Sequence, residues 1–280
     1  MTTSARLRKQ GWGSTLLGAL IVVVFLFPVF WMVSTSLKTQ PDIFATPPRF
    51  IPNPIVGDAY VEAVFDNRVV LEAVRNSAII SLGTMALTLV LAAPAAYAVA
   101  RLRLRGAALV LLLLLVTQLL PAIVMAGPLF VAFSRIDLTN SYLALILADT
   151  TLTLPFAVIV LRPYFLTIPR ELEAAALVDG STRFGAFLRI VLPLVRPGLL
   201  AVAAFSFLFA WGEFLFALSL NTNEDVQPIT VALNKFIGQY GTQWNNLMAV
   251  STTVAVPIIA VFAAMQRYIV GGLTAGAAKE

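Results

Sequence analysis

Two adjoining motifs interrupt a chain that is otherwise strongly apolar: Pro169-Arg-Glu-Leu-Glu-Ala-Ala-Ala-Leu-Val-Asp-Gly-Ser181 and Ile190-Val-Leu-Pro193. Proline and nearby acids favour the first turn of a helix, and alanine favours its interior. Gly180 permits the left-handed conformation that commonly ends a helix. The pattern predicts a short helix, a sharp turn and a second, amphipathic helix within residues 166–196. Small residues there allow another protein to approach, so we expect a docking surface; an interfacial loop without a partner is the alternative.

The composition is that of a membrane protein. Apolar residues make up 59% of the 280 residues, charged residues only 12%, and the mean hydropathy is +0.89. A soluble domain of this size needs far more surface charge, so much of the apolar excess must face lipid. The sequence has no cysteine and no histidine, which excludes thiol chemistry and disulfides and removes the usual zinc ligands. We therefore predict an all-α integral membrane protein.

Six apolar runs are each close to the ~20 residues that a helix needs to cross a ~30 Å hydrocarbon core. They lie near residues 15–36, 78–100, 107–133, 142–165, 197–220 and 248–270. We treat them as one transmembrane domain over residues 1–280. The third run contains Pro121 and Pro128, which predicts a kink or break because proline removes a helical hydrogen bond.

Basic residues are distributed unevenly between the two sides of these spans. Thirteen of the nineteen fall on one side: Arg6, Arg8, Lys9, Arg101, Arg103, Arg105, Arg162, Arg170, Arg183, Arg189, Arg196, Arg267 and Lys279. The positive-inside rule places that side in the cytoplasm, together with both termini and the loop 166–196. The net charge of +5 is thus an insertion signal, and nucleic acid is not an expected partner.

The loop resembles the EAA motif of the membrane subunits of ATP-binding-cassette (ABC) importers, in which Glu-Ala-Ala is followed by Gly and then by Ile-x-Leu-Pro. The family spacing is kept at four positions: Gly180, Ile190, Leu192 and Pro193. Ala174 stands where the family usually has its Glu, and Glu173 lies one residue earlier. The resemblance therefore leaves open which carboxylate of the loop contacts a partner.

Other segments resemble the carbohydrate-uptake branch of that family, which includes the second membrane subunit of the maltose transporter. They are Trp31 to Lys38 with Pro47-Pro48, Ala95-Ala-Tyr-Ala98 with Arg101, Trp211-Gly-Glu-Phe214, and Gln266 to Lys279. These segments follow one another in the order of that branch and at matching positions relative to the apolar runs. On this resemblance the chain is identified as a permease subunit of a binding-protein-dependent importer.

The resemblance implies a machine of several subunits in a bacterial inner membrane. The expected partners are a second homologous permease subunit, a dimer of ABC ATPase subunits, an extracytoplasmic substrate-binding protein, a carbohydrate or polyol phosphate, and membrane lipid. ATP and Mg²⁺ would be bound by the ATPase, and this chain would carry no cofactor, metal or catalytic residue. None of its four lysines follows a glycine, as the P-loop of an ATPase requires.

The resemblance also assigns roles within the loop. The residues expected to form the surface that couples to the ATPase are Glu171, Glu173, Ala174, Ala175, Ala176, Asp179 and Gly180. Three residues are expected to brace the loop against the bundle: Ile190, Leu192 and Pro193. Residues 276–280 are a second candidate contact with the ATPase.

Five residues are candidates for the solute path through the bundle. Asp149 and Glu213 are the acids placed within or at the edge of a span, where an ionisable group is costly and often functional. A structural hydrogen bond is the alternative role for both acids. The further candidates are Gln118, Asn76 and Trp211, because aromatic faces and amides are expected in a sugar site.

Two other classes of protein remain as alternatives. A proton-coupled secondary transporter would use Asp149 and Glu213 as a relay and would need no partner. Six spans without internal symmetry, and the polar loop, argue against it. An integral-membrane enzyme would depend on carboxylates, and no pair of acids has a recognisable motif spacing.

Overall fold

The computed structural model describes residues 4–102, 104–238 and 241–277. Arg103, Lys279 and Glu280, which entered the sequence predictions, lie outside the described residues. Within them the secondary structure is helical, apart from one antiparallel pairing of two-residue strands, β1 (Ile237–Gly238) and β2 (Gly241–Thr242). The predicted all-α class is confirmed.

Fourteen helices follow one another among the described residues. They are α1 (Ser4–Ser36), α2 (Gln40–Ile43), α3 (Asp58–Tyr60), α4 (Arg68–Arg101), α5 (Ala107–Thr117), α6 (Ala122–Ser134), α7 (Tyr142–Thr167), α8 (Arg170–Val178), α9 (Arg183–Ala186), α10 (Leu192–Leu194), α11 (Arg196–Gly212), α12 (Leu215–Leu220), α13 (Ile229–Asn234) and α14 (Trp244–Ala277). Two π-helical turns extend α3 and α9, at Val61–Phe65 and Phe187–Val191, and a 3₁₀ turn lies at Glu224–Val226.

Four described helices contain a segment long and apolar enough to cross a membrane: Gly13–Ser36, Arg68–Arg101, Tyr142–Thr167 and Trp244–Gln266. Two bent pairs raise the number to six if each pair is one span. One pair is α5 with α6, and the other joins Arg183–Leu194 to α11. The chain is thus a multi-pass helical protein, and the six-span topology stays a prediction.

The third predicted span is broken as the prolines indicated. Helices α5 and α6 meet at 98°, and the chain turns between Gln118 and Pro121. Pro121 adopts an extended conformation immediately before α6. Pro128 lies inside α6, so only one of the two prolines accompanies the break.

The fifth predicted span, residues 197–220, is not one continuous helix. Helix α11 ends at Gly212 and α12 begins at Leu215. The carboxylate of Glu213 accepts hydrogen bonds from the backbone N–H groups of Phe216 (2.8 Å) and Ala217 (3.1 Å). A side chain that satisfies the first N–H groups of a new helix makes such a break tolerable inside a span.

The predicted amphipathic helix after Gly180 is irregular. It begins at Arg183, passes through the π-helical turn Phe187–Val191 and ends at Leu194. The backbone N–H of Leu192 bonds to Phe187 O, one residue further back than in an α-helix. Pro193 has no N–H to continue the α-helical pattern, and a π-turn accommodates that gap.

The described residues divide into two compact units, one within 1–68 and 235–254 and the other within 69–234 and 255–280. In the first unit, the end of α1 is tied to the loop that follows it. Lys38 Nζ lies 4.3 Å from the centre of the Trp31 ring and donates to Arg49 O. Gln40 Nε2 donates to Asn245 Oδ1 at 2.9 Å. The prediction of a single domain stays untested.

The second unit is built on α4, α7 and α11, which pack through small residues. Its buried core includes Ala92, Ala96, Ala157, Val158, Leu161, Phe165 and Val202. A Cβ atom on Gly83 of α4 would lie 2.4 Å from Ile146 Cδ1 of α7, and one on Gly198 of α11 would lie 2.7 Å from the Tyr164 ring. Small residues therefore let these helices approach closely, as in other helix pairs in membranes.

Candidate coupling site

Helix α8 and the turn after it have the geometry that the motif predicted. The N–H of Gly180 bonds to Leu177 O (3.2 Å), and the N–H of Ser181 bonds to Ala176 O (2.9 Å). These two bonds form a Schellman motif, which requires a left-handed residue, and Gly180 has φ +83°. Thr182 Oγ1 then accepts from the N–H of Gly185 (3.0 Å) and caps the next helix.

Glu173 is turned inward and joins α8 to the end of α4. The hydroxyl of Tyr97 donates to Glu173 Oε2 at 2.7 Å, and Arg101 Nε lies 3.3 Å from Glu173 Oε1. The side chains of Arg101 and Glu173 are 6% and 18% exposed, so this ion pair is largely shielded from water. Arg101 also donates to Ile168 O, at the start of the loop. Glu171, in contrast, is exposed.

Aromatic packing fixes the second half of the loop to the bundle. Tyr97 contacts Phe165 of α7 with ring centroids 5.8 Å apart, and Phe187 with centroids 4.9 Å apart. Phe187 and Val191 are buried in the same core as α4 and α7. Among the three residues expected to brace the loop, Leu192 packs against this core, Ile190 is half-buried and Pro193 is exposed.

The anchoring residues Tyr97, Arg101 and Phe187 were not among the sequence-predicted site residues. Their contacts join segments far apart in the sequence, so no local pattern could reveal them. A partial signal existed, because Tyr97 and Arg101 fall in a segment that resembles the family, and Phe187 lies four residues before Val191, which is the spacing of one helix face.

The tip of the loop is apolar and exposed. Val178 is 87% exposed and Phe184 is 67% exposed. Ala174, Ala175 and Asp179 are also exposed, whereas Ala176 is buried. Large apolar side chains with this exposure indicate a surface that another molecule covers.

The five candidates for the solute path lie in different environments. Asp149 is 1% exposed, and its Oδ1 has no hydrogen-bond partner among the described residues. Thr230 Oγ1 donates to Glu213 O at 2.7 Å. Gln118 is exposed and donates to Leu152 O at 2.9 Å.

Asn76 and Trp211 are buried, and their side chains contact other residues of the protein. The Asn76 amide donates to Asp225 O (2.9 Å) and Gln227 O (3.0 Å), and its Oδ1 accepts from the Tyr142 hydroxyl (2.7 Å). Trp211 stacks on Phe207 with centroids 5.5 Å apart. These contacts account for both residues as parts of the fold, and solute contact by any of the five candidates stays a prediction.

The long apolar helices and the bent helix pairs define a multi-pass membrane protein. Residues 88–274 match the model of the family described as "Binding-protein-dependent transport system inner membrane component", and the chain belongs to that family. The membership confirms the resemblance found in the EAA motif, and with it a permease subunit of an ABC importer.

Individual relatives are similar over nearly the whole chain. The probable ABC transporter permease protein y4oR of Sinorhizobium fredii is 37% identical over 99% of this chain and 98% of its own length. The diacetylchitobiose uptake system permease protein DasC of Streptomyces coelicolor is 33% identical over 92% of this chain and 94% of its own. A chain of a bacterial ABC transporter involved in alginate import has the same fold, with a TM-score of 0.81 and 20% identity over 96% of this chain and 98% of that chain.

Proposed function

We propose that this chain is one of two membrane subunits of an ATP-driven carbohydrate importer, and that α8 is the coupling helix on which a separate ATPase docks. The observation that carries this proposal is the two-sided character of the loop 166–196. Its inner side is tied to α4 through Glu173, and its tip exposes Val178. The family membership supports the role.

A displacement of α8 by the ATPase could be transmitted to the helix bundle through two sets of contacts. One route runs from Glu173 through Tyr97 and Arg101 to α4. The other runs from Phe187 to Phe165 and so to α7. Because a packed interior transmits movement rather than absorbing it, a rigid-body shift of α8 would move the ends of both helices.

The proposal distinguishes the two acids of the first turn. Glu173 already has partners within the chain, so its role is to position α8. Glu171 is exposed and is the carboxylate available to a cationic group on the ATPase. ATP and Mg²⁺ would bind to the ATPase dimer, and the tail from residue 276 onward is a second candidate contact.

The relatives support our proposal for the remaining parts of the transporter. The family description names a binding protein, which would deliver the solute outside the inner membrane. DasC is named for an oligosaccharide, which supports a carbohydrate here, with a polyol phosphate as the alternative. A second homologous permease would complete the path. We further propose six spans, the third broken between α5 and α6 and the fifth broken between α11 and α12, with Arg183–Leu194 in the cytoplasmic loop and both termini in the cytoplasm.

The test is purification of the tagged chain from its native membrane in mild detergent. We expect a second multi-pass permease and a P-loop ATPase to co-purify, with ATP hydrolysis that responds to the loaded binding protein. A chain that purifies alone and, after reconstitution, moves solute with a proton gradient would contradict the proposal. That outcome would instead support a secondary transporter that uses Asp149 and Glu213.

A further inference from the structure

A cationic cleft of about 230 Å³ lies between the end of α4 and the loop of α8 and α9. Its lining includes three arginines, Arg101, Arg170 and Arg183, and one carboxylate, Glu173. Arg101 and Glu173 pair with each other. Arg170 and Arg183 are exposed, and neither guanidinium group has an ion-pair or hydrogen-bond partner within the described part of the chain. The cleft therefore carries an excess of positive charge that attracts an anion.

An apolar cavity of about 330 Å³ adjoins this cleft. Pro94, Ala98, Phe184 and Phe187 form most of its wall. Tyr97, Leu102 and Arg183 line both spaces, so the cationic and apolar compartments share a boundary. A ligand that fills both must have a negative group next to a hydrocarbon segment.

The position of the two compartments along α4 suits a lipid. Arg101 is the last residue of this membrane-spanning helix, and Pro94 lies two turns further inside. At 1.5 Å per residue, the apolar cavity therefore extends about 10 Å along α4 from the level of Arg101. A phosphate at the level of the arginines places its acyl chain beside Pro94 and Ala98.

We propose that this paired cleft binds an anionic phospholipid, with the phosphodiester at Arg170 and Arg183 and one acyl chain in the apolar cavity. Guanidinium groups bind phosphate oxygens in pairs of charge-assisted hydrogen bonds. Basic pockets beside membrane helices are suited to lipid headgroups. A free anion or an acidic side chain would satisfy the arginines and leave the apolar compartment without an occupant. The bound lipid lies between α4 and the loop 166–196.

The first experiment identifies the occupant in the native membrane. Leu102 lines both compartments and is 44% exposed, so Leu102→p-benzoylphenylalanine places a photo-reactive group at the site. Irradiation of cells should give an adduct with the mass of a phospholipid. The double substitution Arg170→Gln with Arg183→Gln should lower that labelling about tenfold. The matched control is Arg189→Gln with Arg196→Gln, two exposed arginines that do not line the cleft, and it should label normally.

The second experiment distinguishes lipid from free anion. Full-length protein is purified, exchanged into vesicles of phosphatidylglycerol or phosphatidylcholine, and analysed by native mass spectrometry. Phosphatidylglycerol should be retained, phosphatidylcholine should not, and inorganic phosphate should fail to displace the lipid. Ala98→Phe, which fills the apolar cavity and leaves every arginine in place, should lower retention.

Three results would overturn the proposal. Adducts at position 102 with another protein alone would make the cleft a protein interface. Displacement of the lipid by inorganic phosphate would make it a site for a soluble anion. Equal labelling in the cleft and control double variants would show that these arginines select no lipid.

Discussion

At the scale of single residues, the ion pair of Arg101 with Glu173 holds the loop 166–196, the proposed coupling loop, against α4. This ion pair is shielded from water, and Tyr97 adds a hydrogen bond to it. Removal of one partner raises the free energy of the folded protein, because the other charge is then buried without compensation. Gly180 acts in a different way, through backbone conformation alone, since a Cβ there would meet nothing within 4 Å.

We expect Tyr97→Phe and Glu173→Gln to weaken the same linkage, so that their effects on solute uptake are not additive. Each single variant should lower uptake by about tenfold, which corresponds to a hydrogen bond to a charged group. The measurement is uptake in cells with equal amounts of inserted protein. Glu171→Gln combined with Tyr97→Phe is the matched control and should be additive, because Glu171 does not contact Tyr97. Additive effects for the first pair would contradict an anchoring role for Glu173.

Gly180 offers a test of conformation without a change in packing. A β-branched residue in the left-handed region costs about 1–2 kcal/mol, whereas Asn tolerates it. Gly180→Val should therefore impair ATPase-coupled uptake, and Gly180→Asn should retain most of it, with insertion equal in both. If the Val variant transported as well as the unmodified protein, the left-handed turn would not be needed for coupling.

At the scale of secondary-structure elements, two features determine how the helices of the second unit pack. Small residues let some helices approach closely, and polar groups stabilise the breaks between others. Glu213 compensates for the break between α11 and α12 through its contacts with Phe216 and Ala217. Helices α4 and α7 are joined by a hydrogen bond of 2.7 Å between Thr88 and Thr153. Near this hydrogen bond, the short distance between α4 and α7 depends on Gly83, which has no side chain to collide with Ile146.

Gly83→Ala should destabilise the protein, because the new methyl group would lie 2.4 Å from Ile146 Cδ1. Overpacking of this kind costs about 1–3 kcal/mol. The measurement is the temperature of thermal unfolding in detergent. Ile146→Val removes the opposing Cδ1 atom, so the double variant should recover much of the loss. Gly127→Ala, at a glycine inside α6 with open space around it, is the matched control and should unfold at the normal temperature or slightly above it, because alanine favours a helix.

At the scale of the whole molecule, the proposed topology places the coupling loop and the loop after α1 on opposite sides of the membrane. The sequence contains no cysteine, so single cysteines can be introduced without removing native ones. Val178 at the tip of the coupling loop is 87% exposed, and Phe44 in the first loop is 67% exposed.

A membrane-impermeant maleimide should label Phe44→Cys in right-side-out vesicles and Val178→Cys only in inverted ones. Bound ATPase should protect Val178→Cys from the reagent, while Phe44→Cys should label equally with and without it. Labelling of both positions from one side would contradict the topology. Labelling of Val178→Cys that ignores the ATPase would contradict docking at the tip.

The amino-acid sequence by itself determined the membrane class, the family and most of the coupling motif. Apolar runs and helix-ending residues such as Gly180 act locally, because hydropathy and backbone conformation depend on adjacent positions. The break near Pro121 was predictable for the same reason. Residues 197–220 were wrongly expected to be one helix, because their hydropathy is continuous across Glu213.

Only the tertiary structure decided which residues of the loop are anchored and which are exposed. Glu171 and Glu173 have the same chemistry and both lie in the first turn of α8, so the sequence leaves their roles open. Helix rotation directs Glu173 toward Tyr97 and Arg101, which are 76 and 72 positions away in the chain. Contacts between residues so far apart arise from helix packing, and local sequence patterns do not record them.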